Sequence, residues 1–280
     1  MERPWRKILY EKQDYPDNYV DTKQFLNGLK RNLHTRTHTF QELAVASGTI
    51  TQEFSSVCLF VSVFWCVQET WLLPSSLLTC SVIVALSVIG CNSLVFVYQN
   101  RHKPLTHFTV HVTEYGISAI VFILFLCAVS PILKTLTEAI STDTIWAMTV
   151  GMLSIHLVFH NYGPEQDMVS NSISLNAAIF AAVCLASRLP TTFHVFSIVF
   201  FAVGLFALLP QMRKAHYPLV LTVTSVLCTA YLLWRASLLL SLVLYTLTVF
   251  TLTILAPTCL LRLQHLKNNI YGPWDEAVVQ

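Results

Sequence analysis

From about residue 50 to residue 262 the chain is a succession of long apolar blocks separated by short polar stretches. That pattern limits the fold more than anything else in the sequence. A soluble 280-residue protein carries charge on its outer faces, about 25% of residues on average. Here Asp, Glu, Lys and Arg together supply 11% and apolar side chains 54%. In hydrocarbon every backbone N–H and C=O must be satisfied within the structure, so blocks of this length read as helices. A spanning helix needs about 20 mainly apolar residues. Candidates fall near 52–70, 77–98, 109–129, 145–162, 172–188, 193–210, 218–235 and 239–261. The expected fold is all-α, a polytopic transmembrane helical bundle of about eight spans, with six or seven as alternatives.

The chain divides accordingly into a polar segment at 1–49, a helical membrane domain at 50–262 and a tail at 263–280. Within the first, Phe25, Leu26, Leu29 and Leu33 share a face and predict a short amphipathic helix over 22–34. Eight spans place fourteen of the 17 Lys and Arg residues on the side of the termini and three, Lys134, Arg188 and Arg235, on the other. Basic residues favour the cytosolic side, so both termini are expected there and residues 130–145 in the lumen. A formal net charge of +2 argues against a nucleic-acid partner. The eight cysteines form no C-x-x-C pair and read as small apolar side chains within helices.

Ionisable groups at membrane depth are costly and therefore informative. His107 and His111, with Glu114 three further on, share one helix face, and His156 and His160 repeat the four-residue spacing. Such pairs can reach one metal ion and would suit a metal-dependent membrane enzyme. Each pair is nevertheless short and lies at a span end, and no H-E-x-x-H is present, so no metal or other cofactor is assigned. A small transporter or lipid scramblase is the other alternative, but it would want repeated halves or broken helices at matching positions. The segment 130–145 offers Lys134 and Glu138 four apart, and Ser141, Thr142 and Asp143 as N-caps for the next span. It reads as an interfacial helix plus cap, or as a lipid-headgroup site. Asn176 and Arg188 extend the polar candidates into the following span, beside Ser172 and Ser174. No glycine-rich phosphate loop, G-x-S-x-G or D-x-D motif occurs, so no catalytic residue is assigned.

Several strings are recognisable. W-R-K-I-L-Y-E-K-Q-D-Y-P-D-N-Y-V-D (5–21), S-P-I-L-K-T-L-T-E-A-I-S-T-D-T-I-W-A-M (130–148), N-Y-G (161–163), S-L-N-A-A-I-F-A-A-V-C-L-A-S-R-L-P (174–190) and L-R-L-Q-H-L-K-N-N-I-Y-G-P-W-D-E-A (261–277) resemble the family formed by the C subunit of phosphatidylinositol N-acetylglucosaminyltransferase. His160 and Asn161 depart from the Phe and Asp expected before Tyr162-Gly163. The resemblance implies a non-catalytic, multi-pass subunit in the endoplasmic reticulum membrane. Its complex moves N-acetylglucosamine from UDP onto phosphatidylinositol at the cytosolic face, the first step of glycosylphosphatidylinositol-anchor synthesis. The implied partners are the catalytic glycosyltransferase, the other subunits and phosphatidylinositol. Trp5, Tyr10, Tyr15, Asp17, Tyr19, Asp21, Trp274 and Asp275 mix aromatic and acidic side chains at the two ends, and they are the candidates for docking such a partner.

Overall fold

A computed structural model describes residues 12, 14–16, 19, 29–32, 37–99, 105–135, 137, 139–163, 168–210 and 218–271, with backbone only at 30–31, 91–99, 105–115, 168–169, 218 and 271. Apart from one pair of two-residue strands, the regular structure among these residues is helical. The helices are α1 (Phe40–Gln68), α2 (Pro74–Gln99), α3 (Leu105–Thr135), α4 (Thr142–Phe159), α5 (Met168–Ala186), α6 (Thr192–Val203), α7 (Pro218–Arg235), α8 (Leu239–Phe250) and α9 (Ala256–Leu263). A π turn, Gly204–Leu208, extends α6, and a second, Thr251–Leu255, joins α8 to α9 into one continuous rod. Each apolar block of the sequence is therefore a helix. Among the residues whose side chains are described, four helical stretches, Phe40–Gln68, Gly116–Thr135, Thr142–Phe159 and Leu239–Leu266, are long and apolar enough to cross a bilayer.

Local chemistry sets the helix ends. The first helix starts at Phe40, inside the polar segment, because Thr39 and Glu42 form a reciprocal capping box. The backbone N–H of Glu42 donates to Thr39 Oγ1 at 3.4 Å, and that of Thr39 to Glu42 Oε2 at 3.3 Å. The same helix ends in a Schellman turn, with Thr70 at φ 61° and the N–H of Trp71 donating to the Cys66 carbonyl at 2.9 Å. Ser237, at φ 56°, repeats that turn after α7, with Leu238 N–H on the Leu233 carbonyl at 3.1 Å. The separator at Ala236–Ser237 looks weak in composition, yet a left-handed residue there suffices to break α7 from α8.

At the centre lie α1, α5 and α6. Ala178, Ala181 and Ala182 are fully buried and let α5 approach its neighbours closely, while Phe60, Phe64, Leu185 and Ile198 fill the space between them. Large side chains face outward instead on α3 (Ile117, Ile120, Leu124) and on α8 (Leu240, Val243, Leu247). A girdle of this kind is suited to lipid contact and ill suited to water. The helix α4 runs antiparallel to α1. Trp146, early in α4, meets Phe64, late in α1, at 5.9 Å between ring centroids, whereas His156, late in α4, meets Glu53.

The segments that precede α1 and follow α9 meet on one face of the bundle. Here β1 (Lys30–Arg31) pairs antiparallel with β2 (Ile270–Tyr271), and Asn269 N–H donates to Asn32 Oδ1 at 2.9 Å. His38 N–H donates to Gln264 Oε1 at 3.2 Å, tying the start of α1 to the turn that follows α9. Within the stretch 22–34, expected to be an amphipathic helix, Lys30–Arg31 is strand, held by a partner near the other end of the chain, and the rest other than residues 29 and 32 lies outside the described residues.

Candidate functional site within the helical bundle

On the face of the bundle away from the β1–β2 ribbon, the described residues of 130–141 pack onto the loop after α5. Lys134 lies in the last turn of α3 and its Nζ donates to the Pro190 carbonyl at 2.7 Å. From the opposite loop the Arg188 guanidinium donates to the carbonyls of Thr137, at 3.2 Å, and of Ile140. Thr137 and Ser187 share a hydroxyl–hydroxyl bond between those two contacts. The two basic residues thus clasp backbone reciprocally. Residue 138, the expected partner of Lys134, lies outside the described residues.

Ser141 is the N-cap of α4, accepting from Thr144 N–H at 3.3 Å, and Asp143 is an exposed residue of the first turn. With the Ile140 carbonyl held by Arg188, the helix begins at Thr142, and of the three candidate caps the one before it is left to serve. Ser141→Ala should therefore destabilise the protein by about 1 kcal/mol, the usual cost of a lost cap. Asp143→Ala should cost less than half of that, since it removes only a favourable charge near the helix N-terminus. Thermal unfolding of the two purified variants checks the order; a larger effect at Asp143 would reassign the cap. Asn176, in the middle of α5, is exposed beside an apolar groove of about 460 Å³ that Met148, Ile179 and Phe180 help to line.

The second polar region runs through the interior. Thr51, Gln52, Glu53, Ser55 and Ser56 of α1 are all buried. Gln52 Nε2 donates to Thr222 Oγ1 on α7, and Thr229 Oγ1 donates to the Ser55 carbonyl at 3.2 Å. Ser55 Oγ donates to the Thr51 carbonyl at 2.7 Å, which leaves the Tyr245 hydroxyl as the donor in their 2.8 Å contact. Bonds of this type between membrane helices contribute about 0.5–2 kcal/mol each and fix the register of α1 against α7 and α8.

On the other side of α1, Glu53 meets the pair of histidines at the end of α4. Glu53 Oε1 lies 3.0 Å from His156 Nε2 and 3.4 Å from His160 Nδ1. Both Glu53 and His156 are sealed from solvent, and the side chain of His160 is 11% exposed. Phe206, in the π turn after α6, stacks edge-on against His156 at 4.9 Å, and Tyr162 does so against His160 at the same distance. The Tyr162 hydroxyl donates to the Leu157 carbonyl at 2.7 Å, which fixes its ring over the cluster.

The structure thus brings His156 and His160 together as their spacing requires, and adds a carboxylate that the spacing could not show. Glu53 is the functional candidate that reading the sequence passed over, although a carboxylate near the start of the apolar stretch 52–70 was a signal that could have found it. His107, His111 and Glu114 fall on α3 where only the backbone is described. At the N-terminus, Tyr15 and Tyr19 pack ring to ring at 4.4 Å across a turn closed by Tyr19 N–H on the Pro16 carbonyl at 2.8 Å. Trp5, Tyr10, Asp17, Asp21, Trp274 and Asp275 lie outside the described residues.

Inward-facing polar groups, small residues at the helix contacts and an apolar outer girdle define an all-helical membrane protein. Comparison with known proteins narrows this class. The family described as "GPI2: Phosphatidylinositol N-acetylglucosaminyltransferase" matches residues 5–275, and the chain belongs to that family. It is 40% identical to the C subunit of human phosphatidylinositol N-acetylglucosaminyltransferase, over 99% of this chain and 93% of the human one. It is 35% identical to the GPI2 subunit of Schizosaccharomyces pombe, over 99% of this chain and 87% of the relative. The Saccharomyces cerevisiae GPI2 subunit is 22% identical over 82% of this chain and 80% of its own length. No solved structure matches.

Proposed function

We propose that the chain is a non-catalytic membrane subunit of the complex that transfers N-acetylglucosamine from UDP-N-acetylglucosamine to phosphatidylinositol, the first step of glycosylphosphatidylinositol-anchor synthesis. The observation that carries this reading is the match along nearly the full chain to relatives named as subunits of that transferase. The sequence adds support, since it has neither a phosphate-binding loop nor a D-x-D motif. In this reading the protein resides in the endoplasmic reticulum membrane and both termini face the cytosol. The bundle assembles the complex and presents its lipid substrate. The groove beside Asn176 is the place offered to an acyl chain, because its walls at Met148, Ile179 and Phe180 are apolar. The paired Tyr15 and Tyr19, with Trp274, dock the catalytic glycosyltransferase, as aromatic anchors commonly do.

Affinity purification of the tagged chain from membranes tests this directly. The expected result is co-purification of a glycosyltransferase subunit, with sugar transfer by the assembled complex and none by the isolated polypeptide. The triple variant Tyr15→Ala, Tyr19→Ala, Trp274→Ala should lower recovery of that subunit at least tenfold, since one interface anchor alone can contribute about 2 kcal/mol. Transfer by the isolated chain, verified by mass, would overturn the non-catalytic assignment. Full recovery of the partner by the triple variant would overturn the docking assignment alone.

A further inference from the structure

We propose that Glu53, His156 and His160 form a binding site for a divalent ion of the zinc class, built between α1 and the end of α4. Three observations carry it. The first is geometric: one carboxylate oxygen and two imidazole nitrogens all lie within 4.8 Å of one another. Two ligand atoms at usual zinc distances in a tetrahedron are about 3.3 Å apart. The 3.0 and 3.4 Å separations from Glu53 Oε1 bracket that value.

The second observation is the tautomer of His156. Its Nδ1 lies 3.0 Å from the carbonyl oxygen of Ser174, which can only accept, so Nδ1 carries a hydrogen. Ser174 Oγ, 2.8 Å from the same nitrogen, can accept from it as well when its own proton is turned to the His156 carbonyl at 3.0 Å. Nε2 is therefore the nitrogen turned toward Glu53. In the neutral ring it offers a lone pair to a carboxylate oxygen that also offers lone pairs. A cation between them resolves that opposition. A metal-bound histidine whose other ring N–H is held by a backbone carbonyl is the usual outer-shell arrangement of protein metal sites.

The third is the chemical character of the surroundings. Two imidazoles and a carboxylate form the donor set of His₂Glu zinc centres, which keep further positions for water or another ligand. Phe206 and Tyr162 wall the cluster, and the partial exposure of His160, where the chain leaves α4, gives an ion a way in. The ligands come from two helices more than a hundred positions apart, so a bound ion would also fasten α1 to α4.

The site is independent of the transferase reading, and so is its test. Tag-free full-length protein in detergent is incubated with zinc, desalted and analysed for bound metal. About one equivalent is expected for the wild type. Glu53→Gln and His160→Phe should each weaken zinc affinity by about tenfold or more, whereas His265→Gln, in the exposed turn after α9, should not. His160→Phe keeps an aromatic ring at a helix end and should remain monodisperse where Glu53→Gln fails to fold. Cobalt(II) supplies a second measurement: visible bands of a four- or five-coordinate N/O site in the wild type, lost in His160→Phe. Zinc should also raise the melting temperature of the wild type and leave that of His160→Phe unchanged. Monodisperse wild type that binds no zinc or cobalt above the His160→Phe background would overturn the site, leaving a proton-bridged Glu–His cluster. Equal metal in the wild type and every variant would also overturn it, by placing the ion elsewhere.

Discussion

Arg188→Ala should lower the melting temperature of the purified protein by about 5–10 °C. The guanidinium holds two carbonyls of the facing loop, those of Thr137 and Ile140. Hydrogen bonds from a charged donor contribute about 1.5–3 kcal/mol each. Arg188 is half-buried, so the lower end applies to each and the total loss is about 2–3 kcal/mol. For a domain of 150–250 residues each kcal/mol moves the midpoint by about 2–4 °C. Arg188→Lys should fall between the two proteins, because an ammonium keeps the charge but not the planar Nη2 group whose two hydrogens serve both carbonyls. A scan in which Arg188→Ala melts within 1 °C of the wild type would show that the clasp contributes nothing. The loop after α5 would then be held by Lys134, by the Thr137–Ser187 bond and by apolar packing.

A second large effect is expected at the centre of the bundle. Ala181 is fully buried on α5, between Ala178 and Leu185 along the same face. Enlarging it to leucine adds three carbons where the helices are closest. Overpacking a well-filled core costs about 1–3 kcal/mol, and here the added volume also pushes α5 away from its neighbours. Ala181→Leu should lower the yield of monodisperse protein severalfold and, in the assembled complex, reduce recovery of the partner. Phe180→Leu on the same helix, at a side chain 41% exposed, should stay within about 0.5 kcal/mol of the wild type. If the two variants behave alike in size-exclusion chromatography and thermal unfolding, close packing at α5 is not what holds the bundle.

How much of this could be read from the sequence differs by element. The apolar blocks announce helices because hydrocarbon leaves the backbone few other choices. Their ends are harder. Ser141, Thr142 and Asp143 are all acceptable caps, and what separates them is Arg188, which pins Ile140 from the other loop. The Thr39–Glu42 capping box was legible as a motif, but it precedes the apolar run by several residues, inside what composition marks as a polar head. Over 22–34 the periodicity was real, yet a few apolar residues at helical spacing do not exclude strand. Lys30–Arg31 went to strand because a partner arrived from residues 270–271. The candidate site divides in the same way. His156 and His160 are four apart on one helix, so local geometry predicts their convergence. Glu53 stands 103 positions from His156, and only the packing of α1 against α4 and α5 brings it there.

The β1–β2 ribbon bears on when the molecule can be finished. Asn32 and Asn269, which bond beside it, stand 237 positions apart, so the two strands can meet only after the last helix has been synthesised and placed. Synthesis proceeds from the N-terminus, and Lys30–Arg31 emerge long before their partner exists. Until then that stretch carries an unpaired strand edge, and such an edge readily templates pairing with whatever extended chain is near. A polypeptide cut short before Ile270 never closes it. Completion of the ribbon therefore distinguishes a chain synthesised past Tyr271, with its last helix in place, from every shorter one.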